Sequence, residues 1–382
     1  MQKVKAIIHL DNIKENAKRF LAWTGTRLCA VVKADAYGHG AEAVAAALNG
    51  VADCFAVALI EEAIAIRMAA CGKEILVFTP PTTAEEGYVL AVNGFSASVD
   101  SLKTARLLCW VCQKYRVPIY VHLKVNTGMN RYGMNVQTLG KVCKLLQCSP
   151  YVKVRGIYSH LCECNLRRAT AQRVIFTQMV AVAKGYFPSL IAHLGATYGA
   201  MLGKNYAFDM VRVGLGLYGY LPCGAGGETG VSKKALDTLQ PQKGMSVYAK
   251  VIASRRYVFG SLGYGKEISG ESIDRLSVCR VGYADGFLRQ QDNGLDGWHS
   301  HANNLCMDAS ILFGEWKKGE WLPILTDAEK TAKEVGTIPY EVLCAATRRA
   351  ELIYDENPAF CGRGKLAHAK GKEVAATRIY EK

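Results

Sequence analysis

Cys29-Ala30-Val31-Val32-Lys33-Ala34-Asp35-Ala36-Tyr37-Gly38-His39-Gly40 is the stretch from which the rest of the chain can be read. Residues 28–32 form a short apolar, partly β-branched run, which reads as a strand buried on both faces. Lys33 closes that strand, and beyond Gly38 and Gly40 the Ala-rich run 41–48 reads as a helix. The lysine therefore sits where a strand hands over to a helix. This is the C-terminal edge of a sheet, where α/β folds and barrels place their chemistry. An amine held there beside apolar walls loses its proton more readily than a free lysine, at about 10.4, as imine chemistry requires. Taken alone, the same pattern also describes a lysine that caps a core strand and reaches to solvent.

Outward from this stretch, short apolar runs alternate with helical stretches as far as about residue 220. Strands are predicted at 28–32, 54–58, 75–78, 95–99, 119–125, 152–158, 190–194 and 209–213, and helices at 60–70, closed by Gly72, and 102–115, ended before Pro118. Eight strand-helix units are the count for a (β/α) barrel of the TIM type. A doubly wound sheet would carry a Gly-rich dinucleotide loop after its first strand, and none is present. Lys33, Lys124, His160, Thr197 and Arg212 all fall at or just past a predicted strand end, so a barrel would bring them to one mouth. After Gly219 the pattern changes. Pro222 and the Gly-rich 224–230 form a linker-like stretch, followed by short strands at 246–252, 277–281 and 306–313 and a helix at 328–335. The fold class read from this is α/β: a barrel domain over 1–235, then a smaller, mostly β domain over 236–382 with a polar basic tail from residue 357.

The composition agrees with an enzyme of two domains, with 382 residues, 50% hydrophobic and 21% charged. No signal-type segment follows Met1-Gln2-Lys3-Val4-Lys5 and no apolar run is long enough to span a bilayer, so a cytoplasmic protein without a membrane partner is expected. In that setting the 14 cysteines are expected to be reduced, acting as small apolar residues. Cys162 and Cys164 flank Glu163 near His160, but the spacing is not that of a zinc site, and no metal is expected. The formal charge of +14 is spread along the chain, dense only at Arg348-Arg349 and over 363–372, without the aromatic-interleaved motifs of nucleic-acid binders. Its field favours small anions such as a phosphate or an amino-acid carboxylate.

The string from Val31 to Gly40 strongly resembles the pyridoxal phosphate (PLP) lysine motif of the alanine racemase family, and the resemblance continues to about residue 349 with the family's motifs in order. It implies that Lys33 carries the cofactor and that Tyr37 bonds its phosphate. The segment from His122 to Arg131 is similar to the one whose arginine, here Arg131, contacts the cofactor's phenolic oxygen and the substrate carboxylate. Lys124 matches a lysine that can be carbamylated and then orients that arginine. Tyr158-Ser159-His160-Leu161 matches the histidine packed on the cofactor ring, and Arg212 the arginine facing the pyridine nitrogen. A guanidinium keeps its own proton, so it leaves that nitrogen unprotonated and the ring a weaker electron sink, which favours prompt return of the α-proton. Thr197, Gly214, Leu215, Tyr37 and Tyr340 are implied to hold the phosphate.

In the second domain, Leu262-Gly263-Tyr264-Gly265 resembles the segment carrying the second catalytic base. Racemisation removes a proton from one face of a planar carbanion and delivers one to the other, so two bases on opposite faces are needed. The resemblance gives these roles to Lys33 and Tyr264, the latter reaching in from the other subunit of a head-to-tail homodimer, with its phenolate stabilised by neighbours such as His160 and Arg212. Met307, in Cys306-Met307-Asp308, is implied to bind the substrate carboxylate through its backbone N–H, and Tyr340 to be a gate leaving room for little more than a methyl group. The chain also departs from the family. Ala196 and Asn126 stand for asparagine and aspartate, Asn304 for an arginine, 290–304 and 309–336 are short, and Arg348-Arg349-Ala350-Glu351 replaces an Arg-Val-Pro-Arg ending. The expected function is interconversion of L- and D-alanine to supply peptidoglycan. The alternatives are a serine or broad amino-acid racemase, including a domain of a larger protein, and a non-catalytic PLP-binding barrel. A barrel decarboxylase would carry an acidic residue where Arg212 stands.

Overall fold

The computed structural model describes residues 4–261, 263–264, 274–287 and 305–355. The basic tail, the stretch 290–304 with Asn304, and Leu262 and Gly265 lie outside the described residues. The chain divides into two compact units: Asn12–Ala36 with Ala41–Gln242, and the residues up to Asp11 with Tyr37–Gly40 and those from Lys243.

The unit boundaries differ from the expected 1–235 and 236–382, and strand β1 (Lys5–His9) gives the reason. Its residues alternate half-buried and buried, the period of a strand with one face on a core. It pairs antiparallel with 245–248 and parallel with 351–355, so the start of the chain belongs to the β-rich unit.

The barrel unit holds β2 (Arg27–Val31), β3 (Cys54–Val57), β4 (Glu74–Val77), β5 (Ser96–Val99), β6 (Ile119–Lys124), β7 (Val152–Tyr158), β8 (Ile191–His193) and β9 (Met210–Val213). They pair in parallel in chain order from β2 to β8, and β9 returns to pair with β2. The Asp209 and Arg212 N–H groups donate to the Ala192 and Gly195 carbonyls, each at 2.9 Å, and close the ring between β8 and β9. Every residue of β3, β5 and β9 is buried, as expected for strands with helices on one side and a packed interior on the other. The covering helices start where the sequence supplies caps. Thr83 Oγ1 accepts from Glu86 N–H at 3.2 Å while Glu86 Oε2 accepts from Thr83 N–H at 3.1 Å, and Ser101 Oγ accepts from Thr104 N–H at 3.1 Å. The predicted strands and the helices at 41–48 and 102–115 are present, whereas the helix expected over 60–70 ends at Ile66.

The β-rich unit is built around β10 (Met245–Arg256), whose first seven residues alternate buried and half-buried. With β11 (Arg275–Cys279), β12 (Ser310–Phe313), β13 (Trp321–Leu325) and β14 (Glu351–Asp355), it forms a sheet in the order β12-β11-β10-β1-β14, with β13 also on β10. Helices Ala328–Val335 and Pro339–Ala346 complete it. Among the described residues, no helix is long and apolar enough to cross a membrane.

Candidate active site

Lys33 opens a one-turn helix, Lys33–Gly38, rather than ending β2. The turn is left-handed: φ is 52° at Ala34, 51° at Asp35, 54° at Ala36 and 54° at Tyr37. L-residues avoid this region because Cβ crowds the carbonyl oxygen, at about 1–2 kcal/mol per residue. The turn therefore needs outside support, and carboxylates supply it. Glu62 Oε1 accepts from Ala34 N–H at 2.7 Å, while its Oε2 accepts from Ala58 and Leu59 N–H at 2.7 and 3.0 Å. Asp35 Oδ1 accepts from Ala41 N–H at 2.7 Å and starts the next helix. Gly38 continues the left-handed region at φ 81°, and a Cβ there would lie 2.6 Å from Thr347 Oγ1 and 2.7 Å from the Leu343 carbonyl. Only glycine fits on both counts.

On β9, the strand that pairs with β2, Arg212 lies with 3% of its surface exposed. Nη1 donates to His193 Nδ1 at 3.0 Å and to the His193 carbonyl at 2.6 Å; Nη2 donates to the Ser159 and Leu194 carbonyls at 2.6 and 3.1 Å. The four Nη protons are thus committed. Among the described residues nothing accepts from its Nε–H, which leaves one donor for a ligand. Burial lowers the guanidinium pKa to about 10, so it stays charged at neutral pH.

His160 follows β7 within reach of Arg212, with Nδ1 and Nη2 3.5 Å apart. Burial, then Arg212, Arg131, Lys124 and Lys33, push its pKa down to about 3, so the ring is neutral. The charges of Lys33, Lys124, Arg131 and Arg212 thus all act on one imidazole. Lys124, the last residue of β6, is 5% exposed and donates to the Val125 carbonyl at 3.0 Å. Burial first, then Arg212 and Arg131, lower its pKa to about 7. Arg131 is exposed at the end of a turn shaped by Asn126, whose Oδ1 accepts from Gly128 and Asn130 N–H at 3.0 and 3.1 Å. An aspartate could accept the same bonds, so the asparagine keeps the turn. It adds a bond from Nδ2 to Asn130 Oδ1 at 2.8 Å.

Thr197, Gly214 and Leu215 are buried beyond β8 and β9, and Gly216 N–H donates to Thr197 Oγ1 at 3.2 Å. Ala196 and Gly214, which precede the short helices Thr197–Met201 and Leu215–Tyr218, make no side-chain capping bond to them. In the β-rich unit, Tyr37 and Tyr340 face each other with ring centroids 5.9 Å apart. Burial, with Tyr340 and Cys344 nearby, raises the Tyr37 phenol, which therefore acts as an O–H donor. Met307 and Tyr264 are exposed, at 51% and 65%. The Met307 backbone is nevertheless fixed. Ala284 N–H donates to the Met307 carbonyl at 3.0 Å, and a Cβ on Gly282 would lie 2.2 Å from the Cys306 carbonyl. Arg349, in the altered ending, joins Asp308 at 2.8 Å and Asp285 at 3.5 Å.

Sequence reasoning missed Glu62, Glu74 and His193, and quoted His122 without a role. The available signal was a polar residue in the interior of an apolar strand: His122 is 1% and His193 0% exposed, in β6 and β8. Among the described residues, no group of three or more His, Cys, Asp or Glu could hold a metal.

Residues 8–222 match the family model for the N-terminal domain of alanine racemase, and 244–354 that for its C-terminal domain. The chain is similar to the alanine racemase of Nostoc sp., with 31% identity over 91% of this chain and 95% of the relative. It is also similar to that of Clostridium novyi, with 28% identity over 94% and 96%. Among solved structures, alanine racemase from Clostridium difficile superimposes with a TM-score of 0.81 at 26% identity, covering 94% of this chain and 97% of that one. Alanine racemase from Bartonella henselae with covalently bound pyridoxal phosphate gives 0.79 at 26%, covering 93% and 100%.

Proposed function

The chain belongs to the alanine racemase family, and from that premise we propose that it interconverts L- and D-alanine with PLP bound at Lys33. The observation that carries this reading is Arg212: a buried, charged guanidinium with four committed Nη protons and one remaining donor, Nε–H. That group fits a ring nitrogen that must stay unprotonated, and the convergence of Lys33, Lys124, Arg131 and Arg212 on His160 fits an anionic ligand. Bound there, PLP supplies an electron sink that acidifies the α-proton of an amino acid joined to it.

The residues of this chain then divide the work. Lys33 holds the cofactor and moves the proton on one face, and Tyr264 of a second copy moves it on the other. Arg212, through its Nε–H, and neutral His160 would hold the cofactor ring. Thr197, Tyr37, Tyr340 and the backbone at Gly214 and Leu215 hold the phosphate. Arg131 and the Met307 N–H bind the substrate carboxylate. Lys124, with a pKa near 7, has a free electron pair in a good part of the molecules at neutral pH. In that neutral form its nitrogen can bond CO2 and release one proton to water, which turns the amine into an anion that orients Arg131. Tyr340 limits the side chain to a methyl group, which favours alanine over serine. In this reading the protein is a cytoplasmic homodimer that supplies D-alanine for peptidoglycan.

The test is α-proton exchange by PLP-loaded protein in deuterated water, with L-alanine and L-serine in parallel and optical rotation followed. Exchange with inversion, faster for alanine, is expected. An absorbance band of lysine-bound cofactor with no exchange would replace this reading by a non-catalytic PLP-binding protein.

A further inference from the structure

Behind Arg212 the barrel interior contains a row of polar groups that the reaction does not touch. His193 Nδ1 lies 3.0 Å from Arg212 Nη1, His193 Nε2 lies 2.8 Å from His122 Nδ1, and His122 Nε2 lies 3.1 Å from Glu74 Oε1. A guanidinium only donates and an ionised carboxylate only accepts, so the ends fix the direction of every bond between them. Arg212 donates to His193 Nδ1, His193 donates from Nε2–H to His122 Nδ1, and His122 donates from Nε2–H to Glu74. Each imidazole then carries one proton, on Nε2, and is neutral. The charge states agree. Burial, with the charges of Arg212 and Lys124, holds His193 well below the usual histidine range. Glu74 is pushed up by burial but held at about 2 by the hydrogen bond from His122, the Ser96 hydroxyl and Arg155.

The barrel makes room for this row. A Cβ on Gly156 would lie 2.5 Å from His122 Nδ1, and the β6–β7 register shifts between Val121 and His122. Tyr158 stacks on His193 at 5.1 Å and 9° between planes.

We propose that Glu74, the first residue of β4 at the far end of the barrel, is a positioning residue for Arg212. Its carboxylate selects the Nε2–H tautomers of His122 and His193, so that His193 Nδ1 is left as an acceptor for Arg212. In the other tautomer of His193, an N–H would face the guanidinium, and one Nη proton would lose its partner in the core. Arg212 would then swing and its Nε–H would leave the ring nitrogen. This inference rests on the function proposed above for Arg212, but its first readout does not.

The experiment uses the full chain labelled with nitrogen-15 in histidine, without cofactor, and reads the tautomer of each buried ring by NMR in wild type, Glu74→Gln and Glu74→Leu. In wild type, His122 and His193 are expected as Nε2–H tautomers. Glu74→Gln keeps an acceptor oxygen and should keep them, whereas Glu74→Leu should mix them. In PLP-loaded protein, Glu74→Leu should lower kcat by roughly ten- to a hundredfold, the span of one hydrogen bond to a charged group, with KM little changed. Glu74→Gln should recover most of that loss. Unaltered tautomers in a folded Glu74→Leu protein, or a loss in Glu74→Gln as large as in Glu74→Leu, overturns the proposal. If wild type neither binds PLP nor racemises alanine, the function fails, while the tautomers still decide the role of Glu74.

Discussion

Arg212 and Tyr264 are both assigned to one reaction, yet the chain builds them in opposite ways. Arg212 sits on a strand of a closed ring, 3% exposed, with its Nη protons bonded to His193, Leu194 and Ser159. Its environment is complete within the barrel unit. Tyr264 is 65% exposed in the β-rich unit. The difference separates a residue whose bonds are made within one unit from a residue that stands largely exposed. A residue of the first kind couples activity to stability; one of the second does not.

Four measurements test that contrast. Tyr264→Phe should lower racemisation by about 10²- to 10⁴-fold, the contribution of a positioned acid or base, while the cofactor absorbance band persists. Its unfolding free energy should stay within about 0.5 kcal/mol of wild type, as for an exposed side chain. A large loss of stability would place Tyr264 with the buried residues and erase the contrast. Arg212→Leu should do the reverse, lowering stability by about 3–5 kcal/mol in urea titrations, because three buried carbonyls lose their donor.

Lys124 allows a finer separation. Its pKa of about 7 lies below the ordinary lysine value, so between those two pH values the unfolded chain binds more protons and stability rises with pH. Below pH 7 the cost of the buried cation is present in full. Lys124→Met should therefore raise unfolding free energy at pH 6 by about 1–3 kcal/mol while weakening substrate binding through Arg131. Equal stability at pH 6 would mean that the amine is already converted to an anion. The smallest effect is a slope. His160 at about 3 and Glu74 at about 2 are both held below their ordinary values, so the unfolded chain binds more protons as pH falls. Stability should decline from pH 6.5 downward through His160, and Glu74→Gln should flatten the part below about 4.5.

Much of the barrel is legible in the sequence because its strands are short, apolar runs separated by capped helices, and the polar residues at their ends stand out. The direction of the family motif also identifies Lys33 and Arg212. Other features depend on contacts remote in sequence. β1 looks like the start of a barrel domain until its partners at 245–248 and 351–355 are known. Glu62 and Asp35 look like ordinary helix-start carboxylates, and only the fold shows that Glu62 reaches Ala34. His122 and His193 are 71 residues apart, and nothing local pairs them.

The left-handed turn that carries Lys33 also bears on how the chain folds. Four successive L-residues in that conformation are disfavoured by several kcal/mol in an isolated segment. Such a segment cannot nucleate structure. It can be set only once Val32, just past β2, presents its carbonyl to Ala36 and the helix from Ile60 presents Glu62 to Ala34. The turn that carries the lysine is therefore expected to form late, so that changes in it act on the rate of unfolding more than on the rate of folding.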